Sequence, residues 1–550
     1  MMTTSASINK LFSIRNQYGK GKVLEKLQLL SNISIKNIKS NKAVQTLYAA
    51  LLFMQAYPDN KKVHKQAGDK LQLLTEYIHE HEDLQYKLYN TGITGTTMCA
   101  GFGFEMVKWL RKTHPASVRF NSFENDEIHI QPFVSVVMNK AESEIFQDGN
   151  ASWKEWLMRV KPEEGILDQL IAIFDSSDIR PEVKDEIWNA IGINIEIDFV
   201  THCRLPQSMT KIFYHRSLIR KEKKNEPLPK PVQVTLTDTA AEQVISCSRM
   251  ILLSHLREID PISFTAAKLI SCYHLSRGIT IVLMGMVPER RHPIDSYMGY
   301  MVFKNGLPVA YAGSWILFNS GRIGLNVFPH YRGGETRFIF EQVLQLHARV
   351  YNLKRFTVDP YQIGKDNYDG IHSGAFWIYY QAGFRPIEKK QQQMAETEAA
   401  KISMSKKYRS SPAVLKTLAN SRLELVLQKN ATRFDATDMS RAYAGILIKK
   451  HRGNRQLSEK GAVKKLAGIL KIKNYQDHNM HFVLKSWCVL LLCKEKELVQ
   501  NSSLKRTLKA LFDLKATGSE ESYMATLQKA HDLRKLVEEL IKIYAIELRQ

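Results

Sequence analysis

Between residues 22 and 89, apolar positions recur at steps of three and four. In KVLEKLQLL and AVQTLYAALLFMQAYPD this spacing gives each helix one buried face, and the second helix stops at Pro58. No fixed period is sustained over three units, so the region is not a repeat array. The pattern changes at TGITGTTMCAGFGFEMVKWLRK (91–112), where Gly and Thr precede a helix predicted to begin near Phe104. Backbone N–H groups of such a loop could hold a phosphate. No Lys-Ser/Thr follows the glycines, as a P-loop needs, so a structural loop is expected. FENDEIHI (123–130) carries carboxylates that suit a base or ligand set and reads as a polar hairpin or loop. Trp153 and Trp156 read as core anchors of a helix.

A basic, Pro-containing segment, RSLIRKEKKNEPLPKP (216–231), reads as a linker. After it, a helix near 240–257 leads into short apolar runs at 278–286, 297–306, 307–318 and 321–328, which predict strands. The KNG and NSG junctions between them suit tight hairpins. A helix over about 334–350 follows, with Ile339, Val343, Leu346 and Val350 on one face. Then come a strand at 355–360 and a helix over about 371–382, ended by Gly383. From 391 onward the pattern is helical to the end. The expected class is α+β: a central α/β domain (236–390, mixed sheet flanked by helices) between a mainly helical N-terminal region (1–235) and a basic helical C-terminal region (391–550).

Composition adds charge to this picture. The chain of 550 residues has a formal net charge of +23. Residues 391–475 alone hold 18 Lys/Arg against 6 Asp/Glu. Such a surface suits nucleic acid, acidic lipid or a polyphosphate cofactor, or is a solvated basic face. The six cysteines lie far apart with no zinc-type spacing, which argues against a disulfide framework and a structural zinc. His478 and His481 could share a helical face but have no third ligand nearby, so no metal is expected. No apolar run approaches the ~18 residues of a membrane span. The N-terminus has no apolar signal region, so a cytoplasmic protein is expected, an organelle-targeting role for its basic and hydroxyl residues being the alternative.

Candidate chemistry gathers in 327–384. VFPHYRGGETRFIF (327–340) has the layout of strand, glycine turn and helix N-terminus, an arrangement that favours an anion through exposed N–H donors and the helix dipole. His330 sits just beyond the predicted strand end, where a general base could deprotonate an amine. Its alternative is a turn or capping residue. Asp359 lies at another strand end, and the polar loop VDPYQIGKDNYDG adds Tyr361, Gln362, Asn367 and Asp369, which either read a substrate or cap the next helix. SGAFWIYYQAGFRP places Ala375, Tyr379, Gly383 and Phe384 in an Ala-x-x-x-Tyr-x-x-x-Gly-Phe register.

On these motifs the segment of about 240–390 resembles the GNAT superfamily of acyl-CoA-dependent N-acyltransferases. The resemblance implies that the 331–337 turn holds the pyrophosphate of an acyl-CoA, acetyl-CoA in the first instance, through Tyr331, Arg332, Gly333, Gly334, Thr336 and Arg337. It also implies that Tyr379, or Tyr380 in a slipped register, returns a proton to the departing thiolate. The family pattern Arg/Gln-x-x-Gly-x-Gly/Ala, started at Arg332, meets Glu335 and Arg337 where small residues are expected. A carboxylate in a first helical turn gains about 0.3–1 kcal/mol from the dipole and competes with a phosphate for it, while Arg332 and Arg337 compensate.

Three readings follow. In the first, His330, Glu335 or a water prepares an amine acceptor that attacks acyl-CoA. In the second, the same fold takes an aminoacyl group from tRNA, as some acyltransferases lacking the pyrophosphate loop do. In the third, the domain is a non-catalytic scaffold whose helical flanks recruit partners.

Overall fold

The structure, a computed structural model, describes all residues except 1–2, 39, 125–126, 147–150, 161–164, 200–204, 210, 220–229, 406 and 547–550. The FENDEIHI loop and the 216–231 linker of the sequence reading therefore fall partly outside the described residues. A helix already begins at Glu127.

The N-terminal 90 residues form helices around an apolar cluster that includes Leu11, Leu47, Leu51 and Met54. Among them is α1 (Asn41–Ala56), whose N-cap Ser40 accepts the Ala43 N–H. A second cluster, from Met98 to Phe199, was not expected from the sequence: it surrounds a three-stranded antiparallel sheet of order β1–β3–β2, with β1 Thr97–Gly101, β2 Val118–Phe123 and β3 Ile193–Asp198. INIEID of β3 alternates buried and half-buried positions, the period-2 signature of a strand with one covered face.

The large sheet holds β4 (Val232–Val234), β5 (Ile270–His274), β6 (Ile279–Met284), β7 (Ser296–Lys304), β8 (Leu307–Leu317), β9 (Ser320–Ile323), β10 (Asn326–Val327), β11 (Arg355–Val358), β12 (Arg385–Pro386) and β13 (Leu423–Val426). Its order is β12–β13–β11–β9–β8–β7–β6–β5–β4, with β10 paired to β8. Every pairing is antiparallel except β9 with β11. All nine residues of β7 are buried, so its run does not alternate: an apolar and aromatic interior is closed by two buried polar ends, Ser296 and Lys304. The predicted KNG turn forms, with Asn305 (φ 50°) and Gly306 (φ 82°) both left-handed.

Four helices flank the sheet. They are α2 (Asp238–Leu253) before β5, α3 (Thr336–Val350) between β10 and β11, and the pair α4 (Tyr368–His372) and α5 (Ala375–Gln381) after β11. The single helix expected at 371–382 is thus two, broken at Gly374 (φ 65°). Nor does the sheet stop at residue 390: β13, inside the region expected to be helical throughout, lies between β11 and β12.

C-terminal helices clamp the segment leading into β7. Lys515 Nζ donates to Asp295 O (2.9 Å) and Glu520 Oε1 (2.7 Å), and Ser296 Oγ donates to Glu520 Oε2 (2.7 Å). Tyr523 and Trp487 donate to the carbonyls of Ile294 and Pro293. Lys515 and Glu520 are both buried, and burial lowers the Lys515 pKa from its usual value. Among the described residues no helix is long and apolar enough to cross a membrane.

Breaking this buried pair on one side leaves an uncompensated charge. Lys515→Met or Glu520→Leu alone is expected to lower stability by about 3–5 kcal/mol, and the double substitution to recover most of that, as read by urea denaturation.

Candidate functional site

The site begins where two neighbouring strands part. β9 runs parallel to β11, Ser320 to Arg322 opposite Arg355 to Thr357. Past Ile323 the chain stays with β8 instead, Asn326 opposite Tyr311 and Val327 opposite Ala310. The strand expected over 321–328 is therefore interrupted at Gly324 and Leu325. Tyr379 of α5 reaches this point: its hydroxyl oxygen accepts the Leu325 N–H at 3.1 Å, and its ring is buried against Phe340 and Phe384. Gln362 fills the space beside Gly324, where a Cβ would stand 2.9 Å from Gln362 Cδ.

A cavity of about 740 Å³ opens here, within the size range of small-molecule sites. Its lining brings together nine of the residues singled out in the sequence: His330, Arg332, Gly333, Thr336, Gln362, Asn367, Asp369, Ala375 and Tyr379. Arg332 is not a free cation. Its guanidinium donates to both oxygens of Asp369, at 2.9 and 2.6 Å. Burial, and then the neighbouring His255, push the His330 pKa down to about 4, so its imidazole is neutral at pH 7. Burial raises the Tyr379 pKa above its ordinary value, against a smaller lowering from the Leu325 N–H.

Glu335, expected as a base or a competitor for phosphate, is neither. It is 1% exposed and faces away from the cavity. Its Oε1 accepts from Arg277 Nε (3.0 Å), Arg277 Nη2 (2.5 Å) and the Ile219 N–H (2.9 Å), and its Oε2 accepts from Lys304 Nζ (2.8 Å). His215 Nε2 lies 3.6 Å away. Burial alone would raise the Glu335 pKa. His215, Lys304 and Arg277 outweigh it and hold the carboxyl well below the carboxylate range. Lys304, fully buried, is pushed down to about 8 by desolvation despite its partner.

The remaining expectations are corrected in the same way. Gly334 serves packing: a Cβ there would come within 2.6 Å of the Tyr57 ring. Tyr331 is buried in the core. Arg337 pairs with Glu341 one turn along α3. Asp359 is paired with Arg322 (3.3 Å) and Arg422 (3.4 Å) and does not line the cavity, and Tyr361 is exposed outside it. Gly333 keeps its left-handed φ of 84° and lines the cavity, with its carbonyl accepting from Asn16.

Sequence reading missed one part of the site. The turn after α2 brings Ser254, His255, Leu256 and Arg257 to the cavity, with Asn90, Thr91 and Met98 from the N-terminal regions. The His255 ring packs on Phe328 (4.6 Å between centroids) and on His330 (5.5 Å), and its Nε2 is buried without a hydrogen-bond partner. No local pattern marks SHLR as part of a site. Only the fold carries the end of α2 to the parted strands. His478 and His481 are exposed, and no group of three metal-ligating side chains occurs among the described residues.

Searches of protein-family models, curated proteins and solved structures find no match to this chain.

The Glu335 ion cluster makes a stability prediction with a definite sign. Its folded pKa lies below the ordinary 4.5, so its contribution is present above pH 4.5 and is lost as pH falls from there. Glu335→Gln is expected to cost about 3–5 kcal/mol near neutrality. The gap between wild type and variant should narrow in urea titrations repeated at acid pH.

Proposed function

We propose that this cavity is the active site of an acyl-CoA-dependent N-acyltransferase of GNAT type. The observation that carries the proposal is Tyr379: it stands at the parting of β9 and β11, anchored through its oxygen to the Leu325 N–H, with its own O–H proton left to donate into the cavity. A parted strand pair with a tyrosine from the following helix suits a linear thioester. The head of α3 supplies N–H donors with no intrahelical acceptors for its phosphates, and Thr336 at that head lines the cavity.

The chemistry balances with this chain's own groups. A neutral amine attacks the thioester carbon, a C–N bond forms and the C–S bond breaks. The thiolate takes the Tyr379 proton, which solvent restores. His330, neutral at pH 7, accepts the proton of the adduct nitrogen and passes it to water. A base this weak suffices, because the nitrogen of a zwitterionic adduct is far more acidic than a free ammonium.

One observation favours a second reading, a non-catalytic binding domain. The turn that would cradle a pyrophosphate is spent elsewhere, Gly334 on Tyr57, Glu335 on its ion cluster and Arg332 on Asp369. The two readings part in calorimetry with acetyl-CoA and free CoA. On the acyltransferase reading, CoA binds, Arg332→Glu abolishes binding, and Asp369→Asn tightens it about two- to fivefold by releasing Arg332, the worth of a partly exposed ion pair. Tyr379→Phe keeps binding but lowers kcat by about 100-fold. No heat at millimolar CoA refutes this reading in favour of the binding domain. In active protein, the pH profile should show no inflection near 6.5 from His330, whose pKa lies at about 4. Its acid limb should instead move with the pKa of the acceptor amine.

A further inference from the structure

We propose that the acceptor of this site is an amine that also carries an anion, a carboxylate or a phosphate, received by Arg257. The inference rests on the acyltransferase reading and names the acceptor class for it.

Outside the GNAT-like motifs the cavity lining comes from the 90–98 segment, the turn after α2 and Tyr311 of β8. That turn is built tightly. Leu256 adopts a left-handed backbone (φ 54°), unfavourable for a branched side chain, and the Arg257 N–H returns to the Leu252 carbonyl at 2.9 Å. The 90–98 segment seats directly on it: a Cβ on Gly92 would fall 2.0 Å from the Ser254 carbonyl oxygen. Beside it, Asn90 Oδ1 accepts the Cys99 N–H (2.7 Å) and Thr91 Oγ1 donates to the Leu88 carbonyl (2.6 Å). The tight turn thus sets the Arg257 guanidinium beside the cavity, close enough to Tyr311 and His255 for its charge to act on both.

Charge accounting then selects the acceptor. Among the described residues lining the cavity, the arginines are Arg257 and Arg332, and the carboxylate is Asp369. Arg332 and Asp369 hold each other with two hydrogen bonds, while Arg257 forms no ion pair with a described residue. His255 and His330 are both held below their ordinary values, so neither adds positive charge to that of Arg257 near pH 7. A polyamine or aminoglycoside meets no unengaged carboxylate here. An amine bearing an anion meets a guanidinium suited to fork-like pairing with carboxylate or phosphate. Met98, Tyr311 and Phe328 supply apolar contact for the rest of the molecule.

The test uses the full chain and matched probes: free α-amino acids against their amides, O-phosphoethanolamine against ethanolamine, glucosamine 6-phosphate against glucosamine, and spermidine as the polycation. Binding is measured first without donor, by ligand-observed NMR, and acylated product is then measured by mass spectrometry with acetyl-CoA. The expected result is that members of one anionic class bind and react, and that their neutral counterparts and spermidine do not. The carboxylate and phosphate arms identify which anion is read. Arg257→Glu should weaken binding by about tenfold or more, with Arg257→Lys retaining part of it and the melting temperature unchanged in both. Equal binding of neutral or polycationic probes, no binding of any anionic probe, or no effect of Arg257→Glu overturns the proposal. Arg257-dependent binding of an anionic amine with no CoA binding and no product upholds the anion subsite and sinks the acyltransferase reading instead.

Discussion

The interaction on which the site depends is the buried ion cluster at Glu335. One carboxylate, closed off from solvent, joins the head of α3 to the end of β7 through Lys304, to the turn before β6 through Arg277 and to the 211–219 segment through the Ile219 N–H. A charge so deeply buried is tolerated only when its lone pairs are nearly all taken, and here four hydrogen bonds take them. Because Glu335 is the residue before Thr336, the cluster sets where the first turn of α3 stands relative to the sheet. Glu335 is thus a structural rivet that faces away from the cavity.

This placement limits what the turn offers the cavity. With Gly334 against Tyr57, what remains toward the cavity is Arg332, tempered by Asp369, with Gly333 and Thr336. The cavity is also a composite. Its floor is the parting of two strands, one side comes from α3 to α5, and another comes from residues 90–98 and 254–257, which belong to different layers of the chain. The N-terminal regions therefore contribute lining of their own and are more than appended supports.

What could be read from the sequence divides along physical lines. The meander from β6 to β8, α3 and β11 was legible because its signals are local: long apolar runs, an Asn-Gly turn and one helical face. His330, Arg332 and Gln362 were legible as cavity lining because a strand end followed by a helix head is where ligands gather, and Tyr379 because of its Ala-x-x-x-Tyr-x-x-x-Gly-Phe spacing. Glu335 was misread because its partners lie 31, 58 and 116 residues away in the chain, and nothing adjacent to it announces burial. Asp359 was misread for the same reason, its arginines arriving from β9 and from residue 422. β12 and β13, two and four residues long, carry too short a run for periodicity to speak. β3, six residues long, does carry the alternation of a strand with one covered face.

β13 also has a consequence for the order in which the molecule can be made. β11 is a central strand only because residues 423–426 cover its far edge, and β12 at 385–386 joins the sheet through β13 alone. A ribosome that has released residues up to 390 has therefore produced a sheet with one open, apolar border, and must add some forty residues more before it can close. The segment before β7 stays unclamped longer still, until Lys515 and Glu520 emerge. Completion of the sheet is thus a late event in synthesis, and the nascent chain passes through a stage in which shielding by a chaperone has a defined target.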